Sequence, residues 1–272
     1  MKVVHRITIR PTSKQRTILQ ELGLSVPPGI ELPGGGTPLV AMDVEEGHPN
    51  WAALDQLFRE WGAGDLVSTR FSKDEVLNAK WLVLVPDWHH GYPQPKDGVF
   101  GYRQATYALT DWCKHCGIGL RQSAPFQMKG EPKWGRRSIL QLNWVFDEFF
   151  VTPATWHRVF APHDIECRAV MNSKGMELET VVQLVVEETV GIQTAALDSE
   201  CCAQCNRTKY LPTGRGRFPA LRGEPSAAMV KTAEVFGSGG RAHHEVLVSQ
   251  AIAHALLDNE VRGVSLRPVE NE

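Results

Sequence analysis

The 272-residue chain is 42% hydrophobic and 22% charged, the balance of a globular protein able to bury a real core in one large domain or two ordinary ones. A formal net charge of −2 gives no global reason to expect nucleic acid or an anionic membrane as partner. No apolar run approaches the roughly 18 residues of a membrane-spanning helix, and Met1–Arg10 alternates polar and apolar residues where a signal peptide would be continuously apolar, so the expected compartment is the cytoplasm.

In chain order, Val3–Ile9 predicts a strand with Val3, His5, Ile7 and Ile9 on one face. Pro11-Thr12-Ser13 predicts a helix start, and Ile18, Leu19 and Leu22 recur at helical spacing before Gly23. A breaker-rich connector runs through Pro33-Gly34-Gly35-Gly36, and no Lys-Ser/Thr follows to make it a phosphate loop. Pro38–Val44 predicts a second strand. Asn50 is then expected to cap a helix that carries Trp51, Leu54, Leu57, Phe58 and Trp61 up to Gly62. Leu66–Phe71 reads as a strand, Ser72–Glu75 as a capping box, and Trp81–Val85 as a strand ended by Pro86. This alternation predicts an N-terminal α/β region over residues 1–105.

Asp87–Pro95 packs His89 and His90 with a carboxylate and two aromatics, the composition of a recognition loop or of an aromatic loop packed against the element that follows. Tyr102–Leu109 is expected as a strand. It leads to the first of two cysteine hooks, Cys113-Lys-His-Cys116-Gly117 and Cys202-Ala-Gln-Cys205-Asn206. Two residues between cysteines let both thiolates of one turn face one ion, and two such turns supply the four ligands of a closed tetrahedral zinc site. The 85 residues between the hooks far exceed the usual 15–20. Closing the longer loop costs only about 1.4 kcal/mol more, against the roughly 10–16 kcal/mol of structural zinc binding. The metal ligands predicted are therefore Cys113, Cys116, Cys202 and Cys205, with Zn2+ in a structural role. Cys201 competes with Cys202 for that place, and Cys167, in an alternating run, reads as a core thiol.

Lys129, Lys133, Trp134, Arg136 and Arg137 form a basic patch that reads as a solvated loop, phosphate binding being the alternative. Gln141–Val151 reads as a strand interrupted by Asp147-Glu148, whose side chains would then point to opposite faces and not act together. An internal repeat follows at a shift of 97 residues, over about 144–170 and 245–269: strand, capped helix, strand. It sets Thr152 on Ser249, Val159 on Leu256 and Phe160 on Leu257, with the two hydroxyls as helix caps, not nucleophiles. Thr180–Val190, with Val-Val-Gln-Leu-Val-Val, reads as one buried strand. His243-His244-Glu245 lacks the i, i+4 histidine spacing of a zinc hydrolase. The fold class expected is α+β, a mixed sheet with packed helices and a four-cysteine zinc-ribbon-like element closing a long inserted segment, with residues 106–272 as the zinc-ribbon α+β region.

The order Trp112-Cys113-x-x-Cys116-Gly117, Phe150–Phe160, Cys202-x-x-Cys205, Phe218-Pro219, and Val246-Leu-Val-Ser249 through Gly263 to Val269 resembles the bacterial double-CXXCG motif proteins, over about residues 106–272. Asn206 departs from that pattern, which carries Gly after each hook. The resemblance implies a non-catalytic zinc-stabilised binding protein, an immunity protein whose partner is a bacterial toxin neutralised by direct binding. The alternatives are a metal-dependent enzyme using His89 and His90 or His243 and His244, and a zinc-ribbon nucleic-acid-binding protein.

Overall fold

A computed structural model describes residues 1–95 and 100–271. The chain divides into two compact units, residues 1–72 with 214–217, and residues 73–213 with 218–272. The division thus falls at Ser72, not at the 105/106 boundary expected from sequence. The reason is strand pairing: Trp81–Pro86 has its hydrogen-bonded neighbours among C-terminal strands.

The first unit is a three-stranded antiparallel sheet, β1 (Lys2–Ile9), β2 (Val40–Glu45) and β3 (Gly64–Arg70), with β1 in the centre. Helices α1 (Ser13–Glu21) and α2 (Trp51–Glu60) complete it, and Ile7, Leu19, Val40, Leu54 and Phe58 are buried together. Thr12 caps α1 through a capping box with Gln15, satisfying the free N–H groups of the first turn. Asn50 makes no such bond to α2; its amide donates instead to Leu22 O at 3.0 Å.

The second unit contains two copies of one arrangement. Its elements are α3 (Lys73–Leu77), β4 (Trp81–Pro86), α4 (Gly101–Thr106), β5 (Tyr107–Ala108), β6 (Arg121–Gln122), β7 (Gln127–Met128), β8 (Ile139–Leu140) and β9 (Phe150–Val151). There follow α5 (Pro153–Thr155), widening to a π-helical turn over Trp156–Phe160, then β10 (Cys167–Asn172), β11 (Glu177–Leu184) and β12 (Thr189–Ile192). The chain closes with β13 (Ser199–Cys201), β14 (Thr208–Tyr210), β15 (Leu221–Arg222), β16 (Met229–Thr232), β17 (Val246–Ser249), α6 (Gln250–Asp258) and β18 (Val264–Pro268).

One sheet runs β7-β10-β11-β9-β8 and the other β15-β12-β16-β17-β4-β18. In each, the two strands of a repeat flank a third strand antiparallel to both: β9 and β10 enclose β11, and β17 and β18 enclose β4. The repeat read from sequence is therefore a split strand–helix–strand unit, made twice. Thr152 Oγ1 accepts from Thr155 N and Ser249 Oγ from Ile252 N, so both hydroxyls cap helices as expected. The helices meet in one core, where Val159, Phe160, Ile252 and Leu256 pack with Leu82, Leu84, Val151 and Leu184. Trp81, Val83 and Leu247 face a second core, and Phe150 and Val181 a third. At the centre of the second sheet β4 and β17 are buried on both faces, which is why Trp81–Val85 and Val246–Val248 read as continuous apolar runs without alternation.

Three expectations need correction. Tyr102–Leu109 is mostly helix, because Tyr102 and Thr106, its buried residues, stand at i, i+4. Gln141–Phe149 is a loop between β8 and β9, turned at Trp144 by a positive φ of 70°. The β-branched run of residues 180–190 is two strands, β11 and β12, that belong to different sheets. Among the described residues no helix is long and apolar enough to cross a membrane.

Inside the first unit, His5 is 5% exposed and bonded through both ring nitrogens, to Asp65 at 2.8 Å and Glu46 at 2.9 Å; Arg215 pairs with the same Glu46 at 2.6 Å. Burial pulls the His5 pKa down, but the two carboxylates outweigh it and hold it above 6.5. A histidine with a raised folded pKa stabilises most fully below its unfolded value, and that contribution is lost as pH rises through the folded value. Thermal stability should accordingly fall as pH rises above about 6.5, and His5→Gln should flatten this part of the profile. Melting curves at stepped pH check this; an unchanged slope in the variant contradicts it.

Candidate functional site

Each hook sits on the loop of a small hairpin. The first lies between the paired strands β5 and β6, the second between β13 and β14. Their backbones make the same two hydrogen bonds. Cys113 N donates to Ile118 O at 2.9 Å, and Cys202 N to Arg207 O at 2.9 Å. Gly117 N donates to Cys113 O, and Asn206 N to Cys202 O, both at 2.8 Å. This turn requires a left-handed residue after the second cysteine, φ being 84° at Gly117 and 55° at Asn206. Asparagine tolerates that region better than other side-chain-bearing residues, so the departure at Asn206 leaves the turn intact.

The four thiols converge. Cys113 Sγ lies 3.9 Å from Cys202 Sγ, Cys116 Sγ lies 3.6 Å from Cys205 Sγ, and all four sulfurs are within 4.8 Å of one another. A tetrahedron with Zn–S bonds of about 2.3 Å has sulfur–sulfur edges of about 3.8 Å. Cys113, Cys116 and Cys202 are buried beside Ile118, with Val235 and Ala242 packed on them. The four residues thus lie close enough to hold a metal ion, and the all-sulfur donor set suits a soft or borderline cation. Cys201 is exposed on β13, and Cys167 is paired with Leu184 in β10; neither joins the cluster.

The environment prepares one thiolate and protects another. Arg207 Nε donates to Cys205 Sγ at 3.4 Å and draws this thiol down to about 6. Burial pushes Cys116 up to about 12. A second nitrogen of Arg207 donates to Asp111 O at 2.8 Å, tying the second hook to the loop that leads into the first.

The predicted histidine pairs behave differently from one another. His90 N donates to Gln141 O, Trp88 stands 5.8 Å from the Trp134 ring, and His89 is bridged to Gln141. That loop therefore packs on the β8 side of the first sheet. Burial lowers the His90 pKa. His243 and His244 instead line a cavity of about 780 Å3 that has the first hook, through Lys114, Gly117 and Ile118, as part of its wall. Among the described residues, the four cysteines are the one cluster suited to a metal, so neither histidine pair makes a metal site.

Sequence reasoning missed the floor of this cavity. Glu148 accepts from Lys231 Nζ at 2.6 Å and from Gln183 Nε2 at 2.8 Å, and Gln183 exchanges two hydrogen bonds with Gln122. Burial pushes the Glu148 carboxyl up; it also pulls Lys231 down, but Glu148 and Asp147 outweigh this and keep the ammonium. Asp147 and Glu148 both face the cavity because their segment is a loop and not the strand expected, so the opposite-faces rule does not apply. A signal was available: Gln183 and Lys231 are polar residues inside apolar strands, and a buried polar group needs a partner.

Comparison with profiles of known protein families and with curated proteins finds no match for this chain.

The hook geometry sets the outcome of two substitutions. At Gly119 φ is 102°, and a Cβ would stand 2.1 Å from Asp111 O, so Gly119→Ala should destabilise by about 2 kcal/mol or more. Asn206→Gly, at a position that already adopts the left-handed turn, should stay within about 1 kcal/mol of the parent. Urea denaturation of the two variants side by side checks the ordering.

Proposed function

We propose that Cys113, Cys116, Cys202 and Cys205 hold one structural Zn2+ and that the chain is a non-catalytic binding protein of zinc-ribbon type. The carrying observation is the closure of the sulfur cluster: four ligands at tetrahedral spacing leave no position for water or substrate, which separates structural from catalytic zinc. The ion would cross-link two hairpins 89 residues apart, with Arg207 stabilising the thiolate of Cys205 and supporting the shell around the sulfurs.

The partner class follows from the double-CXXCG resemblance of residues 106–272: an immunity protein that occludes a cognate bacterial toxin in the cytoplasm. The double hook, the twice-made capped unit and the segment leading to Val269 are the features that support it. The enzyme reading based on paired histidines loses its footing, since neither pair converges with a third ligand. Nucleic-acid binding is also less well supported, because Trp134 of the basic patch donates its Nε1 to Thr180 O and Arg137 is stacked on Trp88.

Native mass spectrometry of the protein captured from its own host should give a mass one zinc above the bare chain and a stoichiometric protein partner. Cys113→Ser should remove the metal and lower the melting temperature by about 10 °C or more, since about 2–4 °C accompanies each kcal/mol in a chain of this order. A metal-free parent protein, or a Cys113→Ser variant that melts normally, would overturn the zinc assignment; a zinc-bearing chain without a partner would count against the immunity role alone.

A further inference from the structure

The cavity beside the hooks lies where the two repeats meet. The 97-residue shift that aligns β9 with β17 also aligns the loops before them, setting Phe146 on His243 and Asp147 on His244. These equivalent residues touch. The Phe146 and His243 rings are 5.5 Å apart, and His244 N donates to Asp147 Oδ2 at 3.3 Å. Two copies of one packing unit therefore bring their leading loops together, and the space between them is lined.

Its volume of about 780 Å3 lies within the range of small-molecule sites, roughly 300–1,000 Å3. Tyr107, Trp144 and Phe146 bring aromatic side chains to the walls. Cations on the lining outnumber carboxylates by six to three: Arg103, Lys114, Arg121, Arg168, Lys231 and Arg241 against Asp147, Glu148 and Glu187.

Hydrogen-bond donors are left over. Lys231 is an ammonium with three N–H groups, and Glu148 is its one hydrogen-bond partner among the described residues. Glu148 has no oxygen without a partner, because Gln183 takes the other. Arg103 Nε is buried without a partner and its residue lines the cavity; His243 Nδ1, a donor or an acceptor according to tautomer, is a second such atom on the lining. Unpaired buried donors are uncommon in native proteins and point to a missing acceptor. Trp144 adds an independent sign. It holds a positive φ of 70°, which is rare for a bulky side chain, and Tyr92, Phe100 and Tyr102 pack around its ring.

We propose that this cavity binds a small aromatic anion, its carboxylate or phosphate oxygens taken by the unused donors of the lining and its ring by Tyr107, Trp144 and Phe146. The site stands on the cavity's own geometry and holds whether or not the chain neutralises a toxin. An uncompensated anion gains charge-assisted hydrogen bonds here that a neutral molecule of the same shape cannot make.

Calorimetric titration of the full-length metal-loaded protein tests it with 2-naphthoate and phenyl phosphate as probes and 2-naphthalenemethanol as the neutral counterpart. One equivalent of at least one anion should bind, and naphthoate, if that is the one, about tenfold or more tighter than the alcohol. The two anions distinguish a carboxylate site from a phosphate site. The double variant Glu148→Gln/Lys231→Met leaves no lone buried charge and should lose the anion binding. Ser238→Trp, at an exposed position on the cavity lining, should weaken it about tenfold without touching the core, and keeps the test decisive if the double variant does not fold. Absence of saturable binding by both anions, equal affinity for naphthoate and the alcohol, or full binding by Ser238→Trp would overturn the proposal.

Discussion

Four sulfurs within 4.8 Å of one another are the constraint to which the second unit is built. The hooks belong to hairpins separated by the whole first repeat and by β11 and β12, so their meeting is a tertiary event. Loop-closure entropy grows only logarithmically, and here the intervening chain is itself folded, with β9, β10 and β11 paired into one sheet. The sheets bring the hairpins near; the sulfurs then need only the short reach of two tight turns. The backbone of these turns, with its left-handed fifth residue, accepts Gly117 and Asn206 alike.

The twice-made split unit is the second organising feature. β11 fills the gap in one copy from a position just after it in the chain, and β4 fills the other from about 160 residues before. The helices of the two copies share one core, and the loops ahead of β9 and β17 are drawn to the same place. The cavity is thus a consequence of the repeat, and its polar floor is set where two apolar layers give way to loops.

That floor shows how burial and charge are balanced. Glu148 and Lys231, taken singly, would each be strongly disfavoured away from water. Together, with Gln183 bonded to the carboxylate and itself held by Gln122, they form a network that ties β11 to β16. In the first unit His5 plays a comparable part on a smaller scale, bridging Asp65 of β3 and Glu46 beyond β2.

Local chemistry by itself determined the hooks, the helix start at Thr12, the caps at Thr152 and Ser249, the longer strands such as β1, β2 and β4, the α+β class and the existence of the repeat. Each of these depends on residues within a few positions of one another: two cysteines in one turn, a hydroxyl three residues before its N–H, an apolar period. Partners distant in sequence were decided by the tertiary structure. It placed β4 beside β17 and β18, split the 180–190 run between two sheets, chose Cys202 over Cys201, and turned Asp147 and Glu148 into one cavity with Lys231. The physical reason is the same throughout. A strand's apolar residues specify that it is buried but not against which neighbour, and a buried charge specifies that it is paired but not with whom; only the packing of the whole chain supplies the partner.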